Sequence, residues 1–350
     1  MPNTFLKSLI STPGLSGFET PVMRLIEKEW QPLTDELSLS RLGSLHGLKR
    51  GSAPKPRPSV MVAAHMDAIG LIVTNINGEF LHIAEIGGVD IRVLPGQAVT
   101  VHGTSELPGI IVQPPAHLLP KGASEGAIAL KHLLVDVGLS ARQVANKVKI
   151  GDIISFATPP TEMSGGTLAG HSLDNRASVA ALTLCLEELQ SRNHAWDVQA
   201  VATVQEEVGA QGARTSAFQL RPDLAIAVDV TFAKGPGANN WETFELGSGP
   251  TIGWGPVIHP FLYKQFKELA EKLEMPYNTE ILPTRTGTDG DVMQMVAEGI
   301  PTIVVSFPIR YMHTPVEMVA LKDIQRTGHL LAEFIAMLTP DFLEKIVWDD

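Results

Sequence analysis

The stretch "VATVQEEVGA" (201–210) joins an apolar run to two adjacent carboxylates, Glu206 and Glu207. The apolar part is typical of a buried β-strand, and successive residues of an extended chain point to opposite sides. Two neighbouring anions at the end of such a strand repel each other unless a positive charge lies nearby. The stretch therefore predicts a strand of a covered sheet whose carboxyl end holds cations.

Three further apolar runs indicate that this strand belongs to a parallel sheet. The four runs are "SVMVAA" (59–64), "VQAVATV" (198–204), "LAIAVDV" (224–230) and "PTIVVSF" (301–307). Amphipathic helical patterns lie between or after them, at 176–190, 261–275 and 321–338. Strands that alternate with helices predict an α/β fold, here a three-layer α/β/α catalytic domain with a mainly parallel sheet.

Residues from about 71 to 160 have a different pattern. Short strand-like runs are separated by Gly, Pro and Asn turns and accompanied by one helical segment, "ARQVANKV". This pattern predicts a small β-barrel-like domain inserted into the α/β domain. We therefore expect a discontinuous catalytic domain, residues 1–69 and 162–350, and a β-rich insertion, residues 70–161.

The composition narrows the choice of partners and compartment. The chain has 350 residues and a net charge of −11, which argues against a nucleic-acid or anionic-membrane partner. No apolar run is long enough to span a bilayer, and the N-terminus lacks the apolar block of a signal peptide. The single cysteine, Cys185, lies in a helical pattern and is expected to fill the core. These features predict a cytoplasmic protein.

Histidines and carboxylates gather at the carboxyl ends of the predicted strands. They are His65 and Asp67 after the first strand, Glu206 and Glu207 after the second, Asp229 in the third, His313 beyond the fourth, and Asp174 before a helix. In open α/β sheets, ligands bind beyond the carboxyl ends of the strands. Each residue alone has an ordinary structural explanation, such as a helix cap for Asp174. Together, however, crowded carboxylates require neutralisation, which a metal ion supplies.

The number of potential ligands indicates two metal ions. Two histidines and three carboxylates are too many for one tetrahedral zinc with an open position. They fit two ions about 3.5–4 Å apart with one bridging carboxylate. Of Glu206 and Glu207, one would bind metal and the other would act as the general base for the attacking water. Asp67, two residues after His65, is expected to orient the imidazole by accepting its other N–H.

Several motifs resemble the M42 family of dinuclear metallo-aminopeptidases, which includes the tetrahedral (TET) peptidases. They include "AAHMDAIG", "HSLDNRAS", "VQEEVGAQGA", "GTDGDVMQ" and "RYMHTPVEMV", and the resemblance extends from about residue 10 to 338. The resemblance implies that His65 and Asp229 bind one metal ion, that Glu207 and His313 bind the other, and that Asp174 bridges the two. It implies that Glu206 is the general base. Ala68 and Asn175 stand where the family usually has acidic residues.

The resemblance also implies a cofactor, substrates and an assembly. The cofactor would be two divalent ions per subunit, zinc with cobalt or manganese as alternatives, which His and carboxylate ligands suit. The substrates would be peptides with a free N-terminus, cleaved through a metal-bridging water. The insertion would act as a lid and dimerisation domain, and the dimers would build a twelve-subunit tetrahedral shell.

Two other functions and the substrate contacts stay open at this point. One alternative is a metal-dependent glycosidase or deacylase, although glycoside hydrolysis normally uses two carboxylates without metal. The other is a catalytically silent, shell-forming scaffold. Thr288 and Asp289 in "RTGTDGD" (285–291) are candidates for substrate contacts but equally suit a helix-capping turn. Arg310 is a third candidate, or else it pairs with a structural carboxylate.

Overall fold

The computed structural model of the protein describes residues 2–119, 126 and 128–347. The strands are β1 (Glu36–Leu39), β2 (Leu45–Lys49), β3 (Ser59–His65), β4 (Gly70–Asn77), β5 (Phe80–Ile86), β6 (Ala98–His102), β7 (Glu106–Val112), β8 (Leu134–Asp136), β9 (Ile153–Phe156), β10 (Thr161–Met163), β11 (Thr167–Gly170), β12 (Asp197–Thr203), β13 (Leu224–Phe232), β14 (Thr251–Trp254), β15 (Asn278–Ile281), β16 (Thr302–Arg310) and β17 (Glu317–Ala320). The helices are α1 (Pro2–Ser11), α2 (Thr20–Trp30), α3 (Ala141–Lys147), α4 (Leu173–Glu188), α5 (Gln211–Leu220), α6 (Pro260–Lys272), α7 (Gly290–Met293) and α8 (Leu321–Met337).

A large sheet forms the centre of the α/β part. Its strand order is β1-β2-β12-β3-β13-β16-β17-β11-β10, and β14 joins β16 to β15. The four predicted strands lie next to one another in this sheet as β12, β3, β13 and β16, and all three of their pairings are parallel. The predicted α/β fold is therefore confirmed. Antiparallel strands extend the sheet at both edges, an extension that the sequence patterns did not predict.

Helices cover both faces of this sheet. Helix α4 packs on β3 and β13 and contacts α1 and α8, while α5 and α7 pack on each other and on β12, β13 and β16. The middle strands are buried along their length; every residue of β3 is buried. Because both faces of these strands are buried, their sequences are unbroken apolar runs rather than alternating apolar and polar residues. Cys185 lies in this core as a buried free thiol, as predicted.

Six strands from the middle of the chain form a separate closed barrel. Their order is β4-β5-β8-β7-β6-β9, and β9 pairs with β4 to close it. The barrel has its own apolar core, which includes Leu71, Val101 and Ile111. The predicted β-barrel-like module is thus present, between β3 and β10 of the large sheet. The exact domain bounds, 70–161 for the insertion, stay a prediction.

A buried arginine ties the N-terminal segment to the sheet. The Arg176 guanidinium donates hydrogen bonds to the carbonyl oxygens of Leu9, Thr12, Gly14 and Met66. Because four carbonyls share one guanidinium, the loop after α1 is fixed beside the end of β3.

Among the described helices, none combines the length and apolar character that a membrane span requires.

Candidate metal centre

The register of the parallel strands brings His65 and Asp229 to the same level. His65 is the last residue of β3 and lies opposite Thr203 of β12. On the other side, Ala63 of β3 pairs with Ala227 of β13, so Asp229 comes level with His65 two residues further on. The carboxyl ends of three adjacent strands therefore deliver their side chains to one edge of the sheet.

Two groups of potential metal ligands meet there, and they share one residue. His65, Asp174 and Asp229 form the first group, and Asp174, Glu207 and His313 form the second. Within each group the ligand atoms lie within 4.8 Å of one another. Asp174 Oδ1 is 3.2 Å from His65 Nε2, while Asp174 Oδ2 is 3.5 Å from His313 Nε2. One carboxylate thus presents one oxygen to each group.

The adjacent pair Glu206 and Glu207 divides between these surroundings. Glu207 Oε2 is 3.6 Å from His313 Nε2 and belongs to the second group. Glu206 Oε2 is 3.7 Å from His65 Nε2 but belongs to neither group. All five residues predicted as ligands therefore lie together, with Glu206 beside them. Their individual roles stay predictions.

Asp67 fixes the backbone that carries the two glutamates. Its Oδ1 accepts a hydrogen bond from the Glu206 N–H at 3.0 Å, and its Oδ2 accepts one from the Glu207 N–H at 3.2 Å. The Ser16 hydroxyl donates a third at 2.6 Å, and His65 Nδ1 lies 3.5 Å from Asp67 Oδ1. The predicted role of Asp67 in orienting the imidazole stays a prediction, and its hydrogen bonds to the glutamate backbone were not predicted.

Glu317 is a residue of the candidate site that the sequence patterns missed. Its side chain is fully buried. It accepts hydrogen bonds from the backbone N–H of Asp174 at 3.0 Å and from that of His313 at 3.2 Å. One carboxylate therefore joins the shared ligand to the histidine of the second group. The available signal was a lone carboxylate four residues after His313 in "HTPVE".

A loop of the barrel closes over the second group. The Asp90 N–H donates to the His313 carbonyl oxygen at 3.0 Å. A Cβ added to Gly88 would lie 3.1 Å from His313 Nδ1, and one added to Gly87 would lie 3.3 Å from Glu207 Cβ. Gly87 also has a φ of +73°, which favours glycine. The two glycines therefore let the loop approach the ligands closely.

The electrostatics of this centre favour an added positive charge. Burial raises the pKa of Glu206 to about 8. The nearby His65 lowers this pKa, and the nearby Asp174 raises it further. Burial and then Asp174 raise the pKa of Glu207 well above its usual range, and burial does the same for Asp229. Burial alone would lower the pKa of His65, but Glu206 and Asp174 raise it overall. Divalent cations would relieve this crowding of carboxylates.

The donor set fits a pair of divalent metal ions. Imidazole nitrogens and carboxylate oxygens are ligands of zinc, cobalt and manganese in proteins. Glu207 Oε1 is buried without a hydrogen-bond partner in the described structure, as expected for an oxygen that a cation would contact. The residues present therefore suit the group that the sequence predicted.

A cleft of about 650 Å³ opens beside the ligands. Thr288, a predicted substrate contact, is one of the residues that line it. Asp289 is buried and accepts a hydrogen bond from the Thr203 hydroxyl. Arg310 Nε donates to the Lys234 carbonyl oxygen at 2.7 Å. Neither Asp289 nor Arg310 lines this cleft, and substrate contacts for all three stay predictions.

Comparison with known proteins gives a consistent result. The family model described as M42 glutamyl aminopeptidase matches residues 43–330. The lysyl aminopeptidase of Pyrococcus furiosus is 38% identical over 96% of this chain and 97% of its own length. A TET aminopeptidase from a marine-sediment Thaumarchaeota archaeon superposes with a TM-score of 0.93 at 29% identity, covering 99% of each chain. The Pyrococcus horikoshii TET1 peptidase, which can assemble into a tetrahedron or a large octahedral shell, superposes at 0.83 with 27% identity, covering 97% of this chain and all of its own.

Proposed function

The chain belongs to the M42 aminopeptidase family, and we propose that it removes the N-terminal residue of peptides with two divalent metal ions. The observation that carries this proposal is the position of Asp174, whose two oxygens face His65 and His313 separately. A bridging carboxylate between two ligand groups is the arrangement of two-metal hydrolases. Zinc is the proposed metal, with cobalt or manganese as alternatives.

The ligands divide between two ions. We assign His65 and Asp229 to one ion, Glu207 and His313 to the other, and Asp174 to both. Two cations bound here would lower the pKa of a shared water molecule and polarise the carbonyl of the scissile peptide bond.

Glu206 acts as the general base of the proposed reaction. Its carboxylate lies beside His65 yet belongs to neither ligand group, so it is free to accept a proton from the attacking water. The water oxygen forms the new bond to the carbonyl carbon, the peptide C–N bond breaks, and Glu206 returns the proton to the leaving amine. Asp67 keeps Glu206 in place by accepting a hydrogen bond from the Glu206 backbone N–H.

Exchange of Glu206 tests this assignment. In Glu206→Gln we expect both metal ions to be retained, while turnover of aminoacyl p-nitroanilides falls by about 10²–10⁴ because the base is lost. Glu242→Gln, an exposed carboxylate that lines the same cleft, is the matched control and should keep its turnover on leucine p-nitroanilide. Metal analysis by mass spectrometry and steady-state kinetics are the measurements. Wild-type turnover in Glu206→Gln would refute the role, and loss of a metal ion would make Glu206 a ligand.

The proposed assembly is a shell of twelve subunits built from dimers. Support comes from the Pyrococcus horikoshii peptidase, which can form a tetrahedron. The barrel, with exposed apolar side chains such as Ile110 and Leu118, is the proposed dimerisation and lid domain.

A further inference from the structure

The cleft beside the ligands carries an uneven charge. Apart from the residues of the metal centre, its charged lining consists of Glu242, Glu280 and Arg285. The Arg285 side chain is 86% exposed, and its Nε lies 3.4 Å from Asp291 Oδ2. Its charge is therefore directed to solvent and already paired. The remaining fixed charges of the cleft wall are two carboxylates.

Glu280 is the more deeply placed of these two carboxylates. It lies on β15, where its Oε1 accepts a hydrogen bond from the Thr231 hydroxyl at 2.5 Å and its Oε2 accepts one from the Thr251 hydroxyl at 2.8 Å. Both donors are neutral, and no ion pair joins Glu280 to a Lys, Arg or His side chain among the described residues. Burial raises the pKa of this carboxyl, although the two threonines oppose the shift. A cation from outside would complete its surroundings.

The position of Glu280 relative to the metal centre follows from strand geometry. Thr231 lies two residues after Asp229 on β13, so the two side chains share a face and are separated by roughly 7 Å. Glu280 is hydrogen-bonded to Thr231 and is therefore one such step away from the ligand Asp229. An extended lysine side chain places its ammonium five bonds, or roughly 6 Å, from its Cα. A substrate held at the metal centre would reach Glu280 with a side chain of that length.

The walls between these points suit an aliphatic stem. Phe244 and Leu282 line the cleft and are partly exposed, and lysine and arginine commonly lay their methylene groups along apolar surface while the charged head finds a polar partner. An acidic N-terminal side chain would instead meet Glu280 and Glu242. An uncharged apolar side chain would cover Glu280 and exclude water from its carboxylate without offering a hydrogen bond in exchange.

We propose that Glu280 determines specificity and that the preferred substrates are peptides with an N-terminal lysine or arginine. This inference rests on the proposed aminopeptidase function. The carboxylate of Glu280 accepts hydrogen bonds from the ammonium or guanidinium head, and the cleft walls hold the stem. Glu242, nearer to solvent, contributes less because its charge is screened.

A panel of p-nitroanilides with the metal-loaded enzyme tests the inference. Lysine and arginine are compared with norleucine, which has a similar length without the charge, and with glutamate. We expect kcat/KM for lysine to exceed that for norleucine at least tenfold. Glu280→Gln should lower kcat/KM for lysine and arginine by about ten- to a hundredfold, the range of a lost charge-assisted hydrogen bond, and leave norleucine within about twofold. Glu242→Gln, the matched control, should change the ratio far less.

The outcomes separate this inference from the function on which it rests. A wild-type preference for norleucine or glutamate, or an unchanged lysine-to-norleucine ratio in Glu280→Gln, overturns the inference and leaves the aminopeptidase function intact. Failure of the metal-loaded wild type to cleave any member of the panel overturns the proposed function, and the inference with it. The wild-type panel decides the preference even if Glu280→Gln does not fold.

Discussion

Replacement of Glu317 by glutamine tests whether the two ligand groups are held in place through the backbone. The Glu317 carboxylate accepts one hydrogen bond from the Asp174 N–H at 3.0 Å and one from the His313 N–H at 3.2 Å. A glutamine of nearly the same shape has a single oxygen acceptor, and its NH₂ group would face the second N–H donor. One of the two hydrogen bonds is therefore lost, and the shared ligand and the second histidine are no longer fixed together.

The structure sets the size and the sign of the effect. A hydrogen bond to a charged group contributes about 1.5–3 kcal/mol, which corresponds to a roughly 10- to 150-fold change in a binding constant. We therefore expect Glu317→Gln to weaken metal binding by about 10- to 100-fold, as exchanges of residues that orient metal ligands typically do. Burial and then Asp174 raise the pKa of Glu317 well above its usual range. A raised pKa means that the ionised form costs folding free energy near neutral pH, so removal of the charge offsets part of the lost hydrogen bond, and the metal-free protein should lose less stability than the metal-loaded protein.

The measurement is a chelator-competition titration of zinc, together with thermal unfolding of the metal-free and metal-loaded proteins. Glu280→Gln is the matched control, because that half-buried carboxylate of the same cleft accepts its hydrogen bonds from threonine side chains rather than from the ligand backbone. The control should bind zinc with wild-type affinity. Two ions bound with wild-type affinity in Glu317→Gln would refute the reasoning. So would an equal loss of Tm with and without metal, since that would indicate a structural role alone.

Two other predictions concern pH and assembly. His46 is buried, its Nε2 lies 2.8 Å from the Ser216 hydroxyl, and burial lowers its pKa to about 4. In the unfolded chain this histidine takes up a proton near pH 6.5, so the wild type should lose about 2 kcal/mol of stability as the pH falls from 7.5 to 5. His46→Gln should not show this loss. Equal losses of both proteins in urea unfolding would contradict the prediction. The proposed shell predicts a mass of about twelve times 37.7 kDa by light scattering, and a monomer at micromolar concentration would contradict it.

The sequence predicted the central sheet well because its strands are buried on both faces. The run predicted at 224–230 corresponds to β13, Leu224–Phe232, and the helix predicted at 321–338 corresponds to α8, Leu321–Met337. The edge strands were not predicted. They are short and mostly exposed, as in β1 and β10, so no continuous apolar run marks them.

The candidate site was predicted in its side chains and missed in its backbone contacts. His65, Asp229 and His313 were identified because strand ends converge at one edge, a rule that needs no coordinates. Glu317 was missed because its hydrogen bond to Asp174, a residue 143 positions away in the chain, depends on the antiparallel pairing of β17 with β11. No local pattern records such a contact. For Asp67 the sequence predicted only a contact with the His65 imidazole, because a sequence pattern indicates contacts between residues that are close in the chain.

Two adjacent carboxylates can serve different purposes only if the backbone between them is rigid. The turn that carries Glu206 and Glu207 begins at Gln205, which has a φ of +59° and donates its N–H to Glu19. The next two N–H groups are both bound by Asp67. Because three consecutive N–H groups are satisfied by two buried carboxylates, rotation of this turn would break charge-assisted hydrogen bonds. Glu206 is therefore kept toward His65 and Glu207 toward His313, as the proposed roles of general base and metal ligand require.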